Sequence, residues 1–121
     1  MNSDVFRIPT DAEISDAEAK LRVRFPDAYR EFLKTGGNVG NAKFEAAVVV
    51  PNAGHLDIVE IAEAAWASGV PRTLVPFVED NGDYFCVSAH GEVMYWSHIG
   101  GTGEQWPTFQ AWFQQVCIER R

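Results

Sequence analysis

The stretch VPFVEDNGDYFC, residues 75–86, gathers three carboxylates, Glu79, Asp80 and Asp83, around Asn81-Gly82 between apolar flanks. Such a cluster could ligate a metal, serve as an acid–base pair, receive a partner, or only solvate a hairpin tip. A D-x-[DN]-x-[DN]-G calcium loop places its first ligand five residues before the glycine, and here that position is Phe77. An acid–base pair needs carboxylates in unlike environments. A wet hairpin tip predicts no large pKa shift at any of the three.

The remaining chemistry-bearing side chains are dispersed. His55, His90 and His98 form no HExxH pair or other ligand doublet, so no metal site is expected. Cys86 and Cys117 belong to no CxxC motif and read as buried small hydrophobes. There is no G-x-S-x-G elbow. Ser97 and His98 are adjacent, and a strand would send them to opposite faces. His98, beside Trp96, fits a structural histidine or a member of a recognition surface. The expectation is a protein without catalytic residues and without a cofactor.

The chain has 121 residues, 46% hydrophobic and 12% aromatic, which fits one ordered domain and excludes disorder. No apolar run reaches the ~18 residues that a membrane helix needs. The opening MNSDVFRIPTDAE lacks the basic and apolar regions of a signal peptide, so a cytoplasmic location is expected. Net charge is −7 and unevenly spread. Residues 20–34 hold Lys20, Arg22, Arg24, Arg30 and Lys34 against Asp27 and Glu31, whereas residues 35–119 hold Lys43 and Arg72 against ten acids. Such a balance disfavours direct nucleic-acid binding. It suits either plain solubility or a basic protein partner.

The elements that must position these residues follow from local signals. Thr10-Asp11-Ala12-Glu13 reads as a capping box, and Ile14, Ala17 and Leu21 form one helical stripe behind it. Pro26 stops that run and can open a second helix at its first position, with Tyr29, Phe32 and Leu33 on the apolar face. Gly36-Gly37 closes this helical pair. A β-prone run at 44–50 follows. A helix is expected over 56–68, with Leu56, Val59, Ala62, Ala65 and Trp66 inward, although Ile58, Val59 and Ile61 also allow an opening strand. Three strands, 74–78, 83–88 and 92–97, should form an antiparallel meander turned at Asn81-Gly82 and His90-Gly91. Gly100-Gly101-Thr102-Gly103 reads as a loop before a last amphipathic segment, 106–118. Phe109, Trp112, Phe113 and Val116 face the sheet there. The predicted class is α+β: one domain with an N-terminal helical pair, an antiparallel meander sheet and a C-terminal helix packed on it.

Two spaced blocks then carry a resemblance. Residues Glu13 to Gly37 read EI-x3-E-x2-L-x3-FP-x2-Y-x2-FL-x2-GG, and residues 76–98 contain PF-x2-DNGDYFCV and GEV-x2-W-x-H. This pattern, over about residues 10–116, resembles the SUKH superfamily. That group includes the Smi/Knr-type regulators of cell-wall glucan synthesis and bacterial proteins that look like immunity partners of polymorphic toxins. The resemblance puts Glu18, Leu21, Pro26, Tyr29, Phe32, Leu33 and Gly37 on the family's helical region, and Gly82, Asp83, Trp96 and His98 on its sheet. Arg22 and Thr35 depart from it, since the family usually has glycine near 22 and often Asn-Gly-Gly at 35–37. The resemblance implies a protein-binding scaffold that takes a toxin domain as partner, and the lack of a heptad seam or long exposed edge in the sequence leads to the expectation of a monomer when free. Glu79, Asp80, Asp83, Tyr95, Trp96 and His98 are the candidate contact residues. The alternative it leaves open is a cytoplasmic regulator of the cell-wall type.

Overall fold

The N-terminal elbow shows how the sequence fixes its own geometry. The structure, a computed structural model, describes residues 9–35, 57–80 and 82–118. Helix α1, Asp11–Leu21, opens on the capping box: the Glu13 N–H donates to Thr10 Oγ1 at 3.1 Å, and the Thr10 N–H donates to Glu13 Oε1 at 2.9 Å. Its stripe of Ile14, Ala17 and Leu21 is buried, as the spacing predicts. Helix α2, Asp27–Thr35, follows after Phe25-Pro26. The Pro26 carbonyl accepts from the N–H groups of Tyr29 and Arg30, so Pro26 caps α2 from outside and is not its first residue.

Glu18 holds the elbow shut. One carboxylate oxygen accepts the Phe25 N–H at 2.6 Å and the other accepts from the Arg30 guanidinium. A side chain from α1 thus pairs the backbone N–H just ahead of α2, and its charge is matched by α2's own arginine.

Helix α3, Ile58–Ala67, is capped by Asp57, whose side chain accepts the Val59 N–H at 2.8 Å. Its buried face is Ile58, Ile61, Ala62 and Ala65. The expected stripe through Leu56 and Val59 is therefore turned: Val59 is half-buried, and Leu56 lies outside the described residues. Trp66 lies half-buried, its Nε1 donating to the Leu74 carbonyl at 3.0 Å and Arg72 stacked 4.1 Å over its ring.

Four antiparallel strands then run as a meander in the order β1-β2-β3-β4: Val75–Asp80, Asp83–Val87, Val93–Ser97 and Gly100–Trp106. The fourth corrects the sequence reading, in which Gly100–Gly103 was a loop. Glycine lowers strand propensity. The pairing partners Ser97, Trp96, Met94 and Val93 nonetheless carry the ladder across to Gly100, Gly101, Gln105 and Trp106. A bulge between Pro76 and Val78 accommodates a proline that could not donate in a regular ladder.

The runs Val75–Val78 and Tyr84–Val87 are buried at every residue, the mark of strands covered on both faces. On one face Phe77 and Phe85 meet Trp112 at 5.0 and 5.5 Å, and Phe32 stacks on Phe109 at 4.5 Å. The other face carries Tyr84 and Trp96, 6.1 Å apart, with Trp96 against the turn that ends α3. The C-terminal segment is shorter as an α-helix than its pattern suggests. Helix α4 spans Phe109–Trp112, capped by Thr108, and continues as a π-helix, Phe113–Ile118. Its expected face holds, with Phe109, Trp112 and Val116 buried and Phe113 partly so. The expected strand at 44–50, the Gly36-Gly37 turn and Asn81 lie outside the described residues.

Candidate functional site

The β1–β2 and β3–β4 turns lie side by side at one end of the sheet, because both connect adjacent strands of a meander in the same direction. Asp80 pairs with Asp83 across the first turn, and Ser97 with Gly100 across the second. Gly82 sits at φ +93°, a left-handed backbone that glycine adopts without a Cβ clash. Its N–H donates to Glu79 at 2.9 Å, so Glu79 closes the turn.

Asp83 is the hub. Its Oδ2 accepts from the Tyr95 hydroxyl at 2.9 Å, and its Oδ1 accepts the His98 backbone N–H at 3.0 Å and lies 2.7 Å from His98 Nδ1. The His98 N–H, then its imidazole, then the Tyr95 hydroxyl hold the Asp83 carboxyl down at about 2, with Ser97 adding to the effect. The expectation of unshifted carboxylates at a wet tip is thereby corrected. Hydrogen bonds to the charged form set this pKa even at the surface. The Tyr95 phenol is displaced the other way, upward, by burial, by its bond to Asp83 and by the charge of Asp80.

The two sequence blocks at 76–87 and 91–98 are therefore joined by one polar knot. Asp83, Tyr95 and His98 come together, with Glu79 and Asp80 at the neighbouring turn. Trp96 does not join them: strand alternation sends it to the opposite face, half-buried against Tyr84 and Gly69. Glu79 and Asp83 each use carboxylate oxygens as hydrogen-bond acceptors within the turns.

Two features escaped the sequence reading. Ile99, between His98 and Gly100, is 86% exposed and is the exposed large hydrophobic residue of the described chain. Its N–H donates to Ser97 Oγ at 3.3 Å, which ties it to the knot. An isoleucine inside a turn signal was the available clue. The second is the role of Glu18 at the elbow, an acid seven residues before Phe25, whose N–H it accepts just ahead of α2.

The Asp83–His98 pair is half of a hydrolytic triad in type, but among the described residues no third member is in place. Ser97 is buried; its Oγ accepts the Ile99 N–H at 3.3 Å, and its hydroxyl donates toward Asp83. Among the described residues no hydroxyl or thiol bonds the second imidazole nitrogen. Cys86 is a free, buried thiol pushed up to about 12 by burial. Among the described residues no group of three His, Cys, Asp or Glu is placed to hold a metal, and no helix is long and apolar enough to cross a membrane.

Comparison with known proteins agrees with the sequence blocks. The profile of the SUKH_5 family, described as SMI1-KNR4 cell-wall, matches residues 3–118. A crystal structure of a protein from Pseudomonas syringae pv. tomato superposes with a TM-score of 0.88 at 30% identity, over 98% of this chain and 89% of that one. No curated protein matches. The match to nearly the whole chain, on a fold with the expected helical pair, meander and C-terminal helix, places the chain in the SMI1-KNR4 family of the SUKH superfamily.

Proposed function

We propose that this chain is a non-enzymatic immunity protein that binds and neutralises a cognate toxin domain in the cytoplasm, as a monomer when free. The observation that carries this reading is Ile99, held out into solvent on a turn pinned by Asp83, His98 and Ser97. An apolar side chain carried on a backbone that is already held loses little backbone freedom on binding, so it can act as an anchor at small ordering cost. Asp80 and Glu79 stand at the same end of the sheet, and the chain's net charge of −7 would steer a basic surface toward it. Toxins that cut nucleic acid present such surfaces.

The test is a calorimetric titration against the toxin domain encoded in the adjacent reading frame. Ile99→Asp and Asp80→Lys should each weaken binding by tenfold or more, while Glu63→Lys, an exposed residue of α3, should not. Equal affinity of all variants would place the interface elsewhere, and no binding by the wild type would remove the immunity reading. The family description, SMI1-KNR4 cell-wall, favours one second reading: a regulator or scaffold of cell-wall synthesis. A deletion strain with an envelope defect and no toxin present would support it.

A further inference from the structure

Five cations stand within residues 20–34, and the fold pairs three of them with acids of α1. Lys20 meets Asp16 at 3.2 Å, Lys34 meets Asp11, and Arg30 meets Glu18. Among the described residues Arg22 and Arg24 have no such partner. Both line one shallow, solvent-open cleft at the elbow of α1 and α2, together with Glu18, Ala19, Val23 and Arg30. The cations left over by the ion pairs are thus the cleft's own.

The charge of that wall is unbalanced. Three guanidiniums less one carboxylate leave +2, and both oxygens of that carboxylate are already taken by the Phe25 N–H and Arg30. Arg22 is also held at φ 58°, ψ 39°, a left-handed conformation that residues with a Cβ rarely adopt. The turn that ends α1 requires a left-handed residue there, and this chain places an arginine, not the unstrained glycine, at that position on the cleft wall.

We propose that this cleft binds a phosphoryl dianion, free or as the monoester of a small molecule. Two unneutralised guanidiniums match two negative charges, and their forked N–H donors can serve the three phosphoryl oxygens bidentately. A lone carboxylate would neutralise one of them and leave the other unserved. Since the rest of the chain is acidic, this elbow is where an anion meets the least repulsion.

Arginine Nε–Hε resonances of the full chain, titrated with AMP, inorganic phosphate and acetate at low ionic strength, test this. Saturable shifts at Arg22 and Arg24 are expected with AMP or phosphate, and acetate should bind at least tenfold more weakly. AMP binding tighter than phosphate would identify a monoester ligand, and equal binding would identify free phosphate as sufficient. Arg24→Gln and Arg22→Gly should each weaken binding at least tenfold, whereas Lys20→Gln, whose ammonium belongs to Asp16, should leave it unchanged. Linear, unsaturable shifts, acetate binding as tightly, or variants indistinguishable from wild type would each overturn the proposal. A dispersed amide spectrum of each variant shows that any loss is not unfolding.

Discussion

Replacing Arg22 by glycine should make this protein more stable, although it deletes a charged side chain from a family motif region. Arg22 closes α1 in a Schellman turn, with its own N–H donating to Ala19 at 3.3 Å and the Val23 N–H donating to Glu18 at 3.1 Å. The turn demands a left-handed residue, and at φ 58° a Cβ costs ~1–2 kcal/mol. Glycine removes that cost but returns ~0.4–1 kcal/mol through the greater freedom of the unfolded chain. The Arg22 side chain is exposed, so little packing is lost. The balance is a gain of ~0.5–1 kcal/mol, which for a domain of this size raises Tm by roughly 2–5 °C. Urea unfolding followed by tryptophan fluorescence reads it as a higher midpoint at unchanged slope. Arg22→Ala keeps the strain and should stay within a few tenths of a kcal/mol of wild type. The reasoning fails if glycine lowers the midpoint, or if alanine gains as much, because charge removal and not backbone relief would then be responsible.

Three further outcomes follow from particular contacts. Glu18→Ala should cost ~2–3 kcal/mol in urea unfolding, since it leaves the Phe25 N–H unpaired and the half-buried Arg30 without its counter-charge; Glu18→Gln, which keeps an acceptor, should cost less. Asp83 titrates from 3.8 in the unfolded chain to about 2 in the folded one, so its contribution is complete above about pH 4 and is lost as pH falls through 2. Carboxyl carbon shifts of Asp83 should show that midpoint, and Asp83→Asn should flatten the acid limb of the stability profile. Tyr29→Phe should be neutral or stabilising by up to ~1 kcal/mol in the same unfolding assay, because the buried Tyr29 hydroxyl has no hydrogen-bond partner among the described residues. A loss above that figure would mean that the hydroxyl is bonded.

Local chemistry made much of this fold legible. The capping box at Thr10, the proline after Phe25 and the period-two and period-3.6 apolar patterns each act within a few residues, and the structure follows them. Strand β4 was hidden because Gly100–Gly103 lacks β-branched side chains, and only the neighbouring strand β3 makes it a strand. The turn of α3's buried face was hidden for a similar reason: several apolar residues in a row leave the choice of face to the sheet beneath. At the candidate site, residue types drew attention to the turn end of the sheet, where the structure joins Asp83, Tyr95 and His98. The direction of each side chain did not follow. Asp83 reaches His98 fifteen residues away, and that long-range bond converts a free-looking acid into a structural hub. Surface partners leave no periodicity at all, which is why Ile99 and the Arg22–Arg24 cleft emerged only from the folded chain.

The most direct test of the immunity reading is survival. The toxin domain from the adjacent reading frame is induced in a bacterial host with and without this protein, and colonies are counted. Colonies should survive only when the protein is present, and Ile99→Asp should abolish that rescue while remaining folded. A neighbour that is harmless alone, or that kills equally in both hosts, would contradict the account.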